Sequence, residues 1–329
     1  MGWETKLDTW IKTNTYHHSS FSDIKYLLEL KEKKNLKISL GFPTLNEEKT
    51  IGEEIKTMRD ELQIHYPLLD EIAIVDSNST DRTREIAQGA GADVYLASEC
   101  LPQYGVIQGK GENLWKSLYL LKGDIILWID ADIKNIHPKF AYGLVGPLLK
   151  YDHLKYVKAF YERPLKVGKR LRPSGGGRVT KILVRPLLAN FYPELSGFLQ
   201  PLSGEYAGKR EILENVPFRM GYGVEVALLI DIYEKWGLES LAQVDMDKRV
   251  HRNRGLDELE RMSFAILHTF FTRLQQQGII SVNEQIEESF NLAKIRGEQI
   301  ILRGEKLTFM ERVPIIKIKE YREKRGQKR

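Results

Sequence analysis

Two acidic positions stand where carboxylates rarely stand by chance. Asp76 closes the apolar run Ile72-Ala73-Ile74-Val75, and Asp130-Ala131-Asp132 closes Ile125-Ile126-Leu127-Trp128-Ile129. A carboxylate at the end of a buried strand is costly to desolvate unless a cation or a hydrogen-bond donor meets it. Two carboxylates two residues apart can divide a task, one holding a divalent metal ion and the other a sugar or ribose hydroxyl. Mg²⁺ usually takes one or two protein carboxylates together with substrate phosphates. An Asp-x-Asp on an exposed turn carries little meaning; the apolar strand in front of this one gives it some.

A second constellation has the opposite charge. The stretch from Arg163 to Arg185 holds eight basic residues and no acidic one. Within it, Ser174-Gly175-Gly176-Gly177-Arg178-Val179-Thr180 leads into a helical pattern. Glycines let backbone N–H groups turn toward an anion, and a helix N-terminus adds positive potential. Arg178 can grip a carboxylate or phosphate through two bonds, and Thr180 can donate a hydroxyl. The loop suits a small polyanion. Aromatic residues for stacking bases are sparse in it, which speaks against nucleic acid.

Two shorter segments add to this. Arg249-Val250-His251-Arg252-Asn253-Arg254 places one histidine among cations. That setting disfavours protonation and leaves an imidazole able to ligate a metal. Gly109-Lys110-Gly111-Glu112-Asn113-Leu114 invites a nucleotide reading but fails both glycine fingerprints. Three residues, not four, separate Gly105 from Gly109, and Leu114 stands where a dinucleotide site needs its third glycine. Lys110 still offers a point charge to a diphosphate at the start of a helix.

The elements that must position these residues alternate. Strands are predicted at 36–43, 71–76, 93–96 and 124–130, with helices opening near Asn46, Ser79 and Gly111. Asn46 is the predicted N-cap of the first of these helices. Such alternation implies an open α/β sheet with parallel strands, whose ligands sit beyond the strands' carboxyl ends. Further on, a strand is expected at 155–161, a helix at about 179–189, a buried helix at 225–236 and a last strand at 241–246. A long helix at 256–277 carries Leu259, Met262, Phe264, Ile266, Leu267, Phe270 and Phe271, a stripe suited to the core or to a dimer interface.

Composition bounds the rest. The chain has 329 residues, 42% apolar and 29% charged, which supports a packed core and excludes a disordered or collagen-like chain. The formal charge is +5 and resides in the tail from Lys317 to Arg329, so a globally basic surface for nucleic acid is not indicated. The single cysteine, Cys100, allows neither an intrachain disulfide nor a cysteine-based zinc cluster, and reads as a small buried hydrophobe. The N-terminus lacks an apolar signal region, and Lys6 stands where myristoylation needs Ser or Thr. No run of about 18 apolar residues is present to span a bilayer. A cytoplasmic protein is expected.

Three segments together resemble the nucleotide-sugar motifs of GT-A glycosyltransferases: Phe42-Pro43-Thr44-Leu45-Asn46-Glu47-Glu48, Ile74-Val75-Asp76-Ser77-Asn78-Ser79-Thr80-Asp81 and Trp128-Ile129-Asp130-Ala131-Asp132. The second half narrows the resemblance. Gly175 to Thr180, Leu199-Gln200-Pro201-Leu202-Ser203-Gly204-Glu205-Tyr206, Gly221-Tyr222-Gly223-Val224-Glu225 and His251-Arg252-Asn253-Arg254 are similar to the glucosyl-3-phosphoglycerate and mannosyl-3-phosphoglycerate synthases. The resemblance implies a Rossmann-like, mostly parallel sheet flanked by helices, with a mainly helical acceptor-side region. It divides the chain into a helical arm (1–35), a nucleotide-sugar half (36–135), an acceptor half (136–277) and a helical, basic tail (278–329).

It also implies roles. Pro43, Thr44, Leu45 and Glu47 border the base and ribose, and Ser77 closes that pocket. Thr44 stands where the family often has a smaller residue, and Val75-Asp76-Ser77 departs from the commoner Asp-Asp-Gly form. Lys110, Asp130, Ala131 and Leu202 face the donor, Asp132 and His251 bind the metal, and Gly177, Arg178, Thr180 and Asn253 hold 3-phosphoglycerate. Arg249 lies near the diphosphate and Glu225 lines the donor sugar; Asp130, Glu225 and Arg249 form the catalytic set. The cofactors are Mg²⁺, Mn²⁺ or Co²⁺ and a donor such as UDP-glucose, GDP-glucose or GDP-mannose. The expected reaction is retaining transfer of glucose to the 2-hydroxyl of 3-phosphoglycerate, by front-face substitution rather than through a carboxylate nucleophile. Mannosyl transfer and transfer to a polyprenyl phosphate are the alternatives. Small-molecule partners, no nucleic acid, no membrane and a homodimer complete the expectation.

Overall fold

A computed structural model describes residues 2–163, 165–167, 170–172, 176–251, 255–283, 286–297, 299–307 and 309–326, with 165–167 and 170–172 described as backbone only. The strands are β1 (Thr15–His17), β2 (Ile38–Thr44), β3 (Glu71–Asp76), β4 (Asp93–Leu96), β5 (Ile125–Trp128), β6 (Tyr156–Glu162), β7 (Leu165–Val167), β8 (Arg170–Arg172), β9 (Tyr206–Lys209), β10 (Phe218–Arg219), β11 (Leu241–Lys248), β12 (Ser289–Arg296), β13 (Gln299–Lys306) and β14 (Glu311–Arg312). The helices are α1 (Trp3–Asn14), α2 (Ile24–Lys33), α3 (Ile51–Arg59), α4 (Thr83–Gly89), α5 (Lys110–Leu120), α6 (Lys139–Lys150), α7 (Arg185–Phe191), α8 (Arg210–Leu213), α9 (Val224–Trp236), α10 (Leu256–Gln276) and α11 (Lys319–Lys324).

Eight strands form one sheet in the order β1-β11-β6-β9-β5-β2-β3-β4. All pair in parallel except β9, which runs antiparallel between β5 and β6. Both faces are covered, so the strands read as continuous apolar runs. In β5, Ile126 and Trp128 join one core layer with Trp115, Phe218 and Phe270; Ile125 and Leu127 join the other with Leu40, Phe140 and Val157. The chain builds outward from β2 to β3 and β4, then returns to β5 on the other side of β2. The crevice at that reversal is the ligand edge of such a sheet.

Three expectations are corrected, and a fourth is narrowed. Asn46 does not cap α3, which starts at Ile51 after Thr50. Asn46 adopts φ +58 and ties two loops together: its N–H donates to Ser79 Oγ at 2.9 Å, and its Oδ1 accepts from Thr80 N at 2.9 Å. The first 35 residues are not a purely helical arm, because β1 pairs with β11 and Trp10 is buried, its indole N–H donating to Leu241 O at 2.8 Å. Leu241–Lys248 is not the last strand. Residues 278–329 also contain the hairpin β12–β13, which turns around Gly297 at φ +62. Finally, much of the α10 stripe is packed within the chain: Ile266 and Phe270 are fully buried, and Phe264 meets Phe290 and Phe309.

The basic tail is docked through its apolar residues. Ile315 and Tyr321 are fully buried, and the Tyr321 hydroxyl donates to Glu214 Oε2 at 2.8 Å. Cys100 is buried as expected, and burial raises its thiol pKa to about 11. Among the described residues, no helix is long and apolar enough to cross a membrane.

Candidate active site

The ends of β2, β3 and β5 open onto a cavity of about 710 Å³. Asp76 closes β3 but does not line the cavity. Fully buried, its Oδ1 accepts from the Thr44 hydroxyl at 3.0 Å and the Ser79 hydroxyl at 2.5 Å, and its Oδ2 accepts from Ser79 N at 2.7 Å. It therefore fixes the loop that presents Ser77. The Ser77 hydroxyl donates to Asn113 Oδ1 at 2.9 Å, and Asn113 Nδ2 donates to Val75 O at 2.8 Å. Thr44 has its hydroxyl committed inward, so it offers the cavity mainly its methyl side. Pro43, Leu45 and Glu47 line the same wall.

The Asp-x-Asp loop is held from behind. The Thr50 hydroxyl donates to Ala131 O at 2.6 Å, and Ile133 N donates to Glu54 Oε1 at 2.9 Å. Glu54 is fully buried, and burial pushes its carboxyl pKa well above the usual range.

In front of the loop lies an ionic network. Lys110, the first residue of α5, places Nζ 2.5 Å from Asp130 Oδ1 and 2.9 Å from Glu225 Oε1. Arg249 Nη2 lies 3.1 Å from Asp130 Oδ2, 2.8 Å from Asp132 Oδ1 and 2.9 Å from Glu205 Oε1. Glu205 Oε2 accepts from the Tyr161 hydroxyl at 2.5 Å. Two cations thus share four carboxylates. Burial lowers the pKa of the Lys110 ammonium, but Asp130 and Glu225 more than reverse that, so it stays charged. Arg249 behaves alike: burial acts against its charge, and Glu205 and the two aspartates outweigh it. Burial raises the Glu205 carboxyl pKa despite the opposing Arg249 charge.

Two glycines make this closeness feasible. A Cβ on Gly204 would lie 1.9 Å from Asp130 Oδ2, and one on Gly111 would lie 2.1 Å from Arg219 O, where α5 presses against β10. The second contact explains the glycine that matched neither nucleotide fingerprint.

The opposite wall carries Gly176, Gly177, Arg178 and Thr180, with His251 and Tyr222. Gly176 N donates to Arg163 O at 3.1 Å, and Lys181 N to Gly177 O at 2.9 Å, so the loop runs directly into the turn before α7. Arg163 Nη2 donates to His251 Nε2, which is therefore a lone-pair acceptor, the state a metal ligand needs. Asp132 and His251, the predicted ligand pair, both border the cavity and each already meets a cationic donor. A carboxylate oxygen and an imidazole nitrogen would suit Mn²⁺ or Co²⁺, and Mg²⁺ would be held chiefly through the Asp132 carboxylate.

The structure brings together at one cavity Pro43, Thr44, Leu45, Glu47, Ser77, Lys110, Asp130, Ala131, Asp132, Gly177, Arg178, Thr180, Leu202, Glu225, Arg249 and His251. Asn253 lies outside the described residues. Sequence reasoning gave no role to Glu205, Tyr161 or Lys158. Lys158 is fully buried in β6, donates to Ser203 O at 3.0 Å and lies 4.3 Å over the Tyr206 ring; burial and the Lys110 charge lower its pKa to about 7. A lysine inside the apolar run Tyr156-Val157-Lys158-Ala159-Phe160 was the available signal.

Carboxylates and cations thus gather at the switch point of a mostly parallel sheet, the ligand edge of such folds. The model of glycosyl transferase family 2 matches residues 39–222. The chain belongs to that family and, within it, to the glucosyl-3-phosphoglycerate synthases. It is 53% identical over 314 residues to the glucosyl-3-phosphoglycerate synthase of Petrotoga mobilis, spanning 95% of this chain and 97% of the relative. The crystal structure of mannosyl-3-phosphoglycerate synthase from Rubrobacter xylanophilus superposes with a TM-score of 0.86 at 35% identity, covering 94% of this chain and 97% of that one. Glucosyl-3-phosphoglycerate synthase from Mycobacterium tuberculosis, solved with Mn²⁺, UDP-glucose and phosphoglyceric acid, gives 0.78 at 39% identity, covering 92% and 97%.

Proposed function

We propose that this chain transfers glucose from UDP-glucose to the 2-hydroxyl of 3-phosphoglycerate, retaining the anomeric configuration. One observation carries the reading: the Lys110–Asp130–Arg249–Asp132 network and the Gly177–Arg178 loop face a single cavity. Its volume falls in the range of small-molecule sites. Pro43, Thr44, Leu45, Glu47 and Ser77 border the base and ribose, and Leu202 and Glu225 border the sugar. Gly177, Arg178, Thr180 and Asn253 hold the acceptor's charged groups. The half 36–135 serves the donor and the half 136–277 the acceptor, between the arm and the tail.

Asp132 and His251 hold the divalent cation, which neutralises charge on the diphosphate when bound. Lys110 and Arg249 are permanently charged and preorganised, so they stabilise the leaving diphosphate without reorganising at the moment of reaction. Arg178 fixes the acceptor so that its hydroxyl approaches the anomeric carbon from the leaving-group side. The new C–O bond forms as the bond to the diphosphate breaks, and the hydroxyl proton passes to the departing phosphate oxygen. Glu225 is paired with Lys110 at 2.9 Å, which favours a positioning role over that of a nucleophile. Turnover of 3-phosphoglycerate with UDP-glucose, GDP-glucose, GDP-mannose and UDP-galactose, with Mn²⁺ and with chelator, tests the reading. UDP-glucose should be used best and chelator should abolish turnover; turnover undiminished in chelator would sink the metal assignment.

The proposal includes a cytoplasmic homodimer. Much of the α10 stripe is spent internally, so the interface belongs to the outer face of the hairpin, where Ile295, Ile300 and Leu302 are 81%, 77% and 75% exposed. Ile295→Glu with Leu302→Glu should sediment as a monomer where the parent chain sediments as a dimer.

A further inference from the structure

Away from the cavity, the arm and the sheet meet in a cluster that transfer does not use. The edge strand β1 ends at His17, and β11 runs beside it in parallel, with His17 opposite Asp245. Two residues further along, Asp247 turns back with φ +60. Its two oxygens meet two histidines: His17 Nε2 lies 2.9 Å from Oδ1 and His18 Nε2 lies 2.7 Å from Oδ2. Lys139 Nζ also lies 2.6 Å from Oδ2. The three ligand-capable atoms, one from each of His17, His18 and Asp247, fall within 4.8 Å of one another.

We propose that His17, His18 and Asp247 form a second cation site, for a zinc-class transition metal, that staples β1 to the end of β11. Two imidazole nitrogens and one carboxylate oxygen are the donors such an ion prefers, and they leave a fourth position for water. They do not suit Mg²⁺, which prefers an oxygen shell.

The surroundings fit this use of the imidazoles. A metal-binding histidine carries its proton on the other nitrogen and needs an acceptor there. His17 Nδ1 lies 2.7 Å from Ser19 Oγ, and His18 Nδ1 lies 3.4 Å from the Tyr142 hydroxyl. Hydroxyls accept as well as donate, so each ring can move its proton from Nε2 to Nδ1 and still find a partner. Ser19 N, now donating to His17 Nδ1 at 3.3 Å, gives up that bond. Lys139 stays on Oδ2 and leaves Oδ1 to the ion. Its charge repels the ion, so the site binds more weakly than it would without the lysine.

The site is independent of transfer chemistry, and the test keeps the two apart. The full chain, stripped with chelator and returned to excess Mg²⁺, is titrated with Zn²⁺ against a chromophoric chelator, and with Co²⁺ by visible absorption. The parent chain should bind one more Zn²⁺ equivalent than His17→Ala/His18→Ala and show a cobalt band that the variant lacks. Asp247→Asn, which keeps the side chain's shape but removes its charge and one acceptor oxygen, should weaken that zinc at least tenfold. Lys139→Gln should tighten it several-fold. Mg²⁺-supported glucosyl transfer should survive in all these variants, which reports that they fold. Equal zinc stoichiometry and affinity in the parent, the double-histidine variant and Asp247→Asn overturns the proposal, as does weaker zinc binding by Lys139→Gln.

Discussion

The two walls of the cavity are built in different ways. The wall assigned to the donor is made of strand ends, and its loops are tied to one another: Asp76 binds Thr44 and Ser79, Asn46 binds Thr80, and Asp81 Oδ1 accepts from Thr83 N at 3.0 Å while its Oδ2 accepts from Glu48 N at 3.2 Å. The wall assigned to the acceptor is a glycine-rich loop tied by backbone bonds at Arg163 and Lys181. The sheet fixes the first wall; the second depends on short local contacts and on Arg178. A rigid donor wall suits a large ligand gripped along its whole length. A glycine-rich loop with Arg178, beside Arg163, suits a small acid with two charged groups, whose few atoms leave little else to recognise.

Substitutions at four positions test that contrast. The largest effect should come from the network both walls share. Asp132→Ala removes a metal donor and a partner of Arg249, and should lower kcat by about a thousandfold, with Mn²⁺ affinity lost in parallel. If kcat fell less than tenfold, Asp132 would not be a ligand. On the acceptor wall, Arg178→Ala should raise the KM for 3-phosphoglycerate by about a hundredfold while hydrolysis of the donor persists. An unchanged acceptor KM would remove Arg178 from that wall.

The donor wall should respond to its supports. Glu54→Gln keeps an acceptor for Ile133 N and should retain activity, because burial disfavours the carboxyl's charge. Glu54→Leu leaves that buried N–H unpaired, at a cost of about 1–3 kcal/mol, and should lower kcat/KM by about tenfold through displacement of the Asp-x-Asp loop. Equal activity in the two variants would show that Glu54 does not position the loop.

The smallest effect is one of pH. Lys158 titrates at about 7 in the fold, against an ordinary lysine value of 10.5. Between those values the unfolded chain binds the proton and the fold does not, so this residue makes stability rise with pH across that window. Lys158→Met should show a flatter dependence of Tm on pH from neutrality upward. A parallel dependence in both proteins would mean that Lys158 does not titrate as described.

The Asp130-Ala131-Asp132 strand end and the basic glycine loop could be read directly because each is local, whereas Asp76 turned out to tie loops together and the role given to His251 came only with the family resemblance. The parallel sheet was legible for the same reason, since strands buried on both faces announce themselves as unbroken apolar runs. The hairpin β12–β13 was not. Its apolar residues stand on both faces, with Ile295, Ile300 and Leu302 exposed and Phe290 and Leu292 half-buried, so the sequence shows no clean alternation of apolar and polar residues. The Asn46 prediction failed because an asparagine before a helix and an asparagine bridging two loops look alike in sequence.

The sequence alone determined which residues reach the ligand edge, since alternation of strand and helix dictates where strands end. Tertiary structure decided their partners. Arg249 gathers carboxylates that lie 44 to 119 positions away, and His17 meets Asp247 across 230 positions. Such pairings follow from strand order and register, here with β9 antiparallel between β5 and β6 and β1 added beside β11. Strand order is set by how whole layers bury their apolar faces, a long-range property that no short window of residues contains.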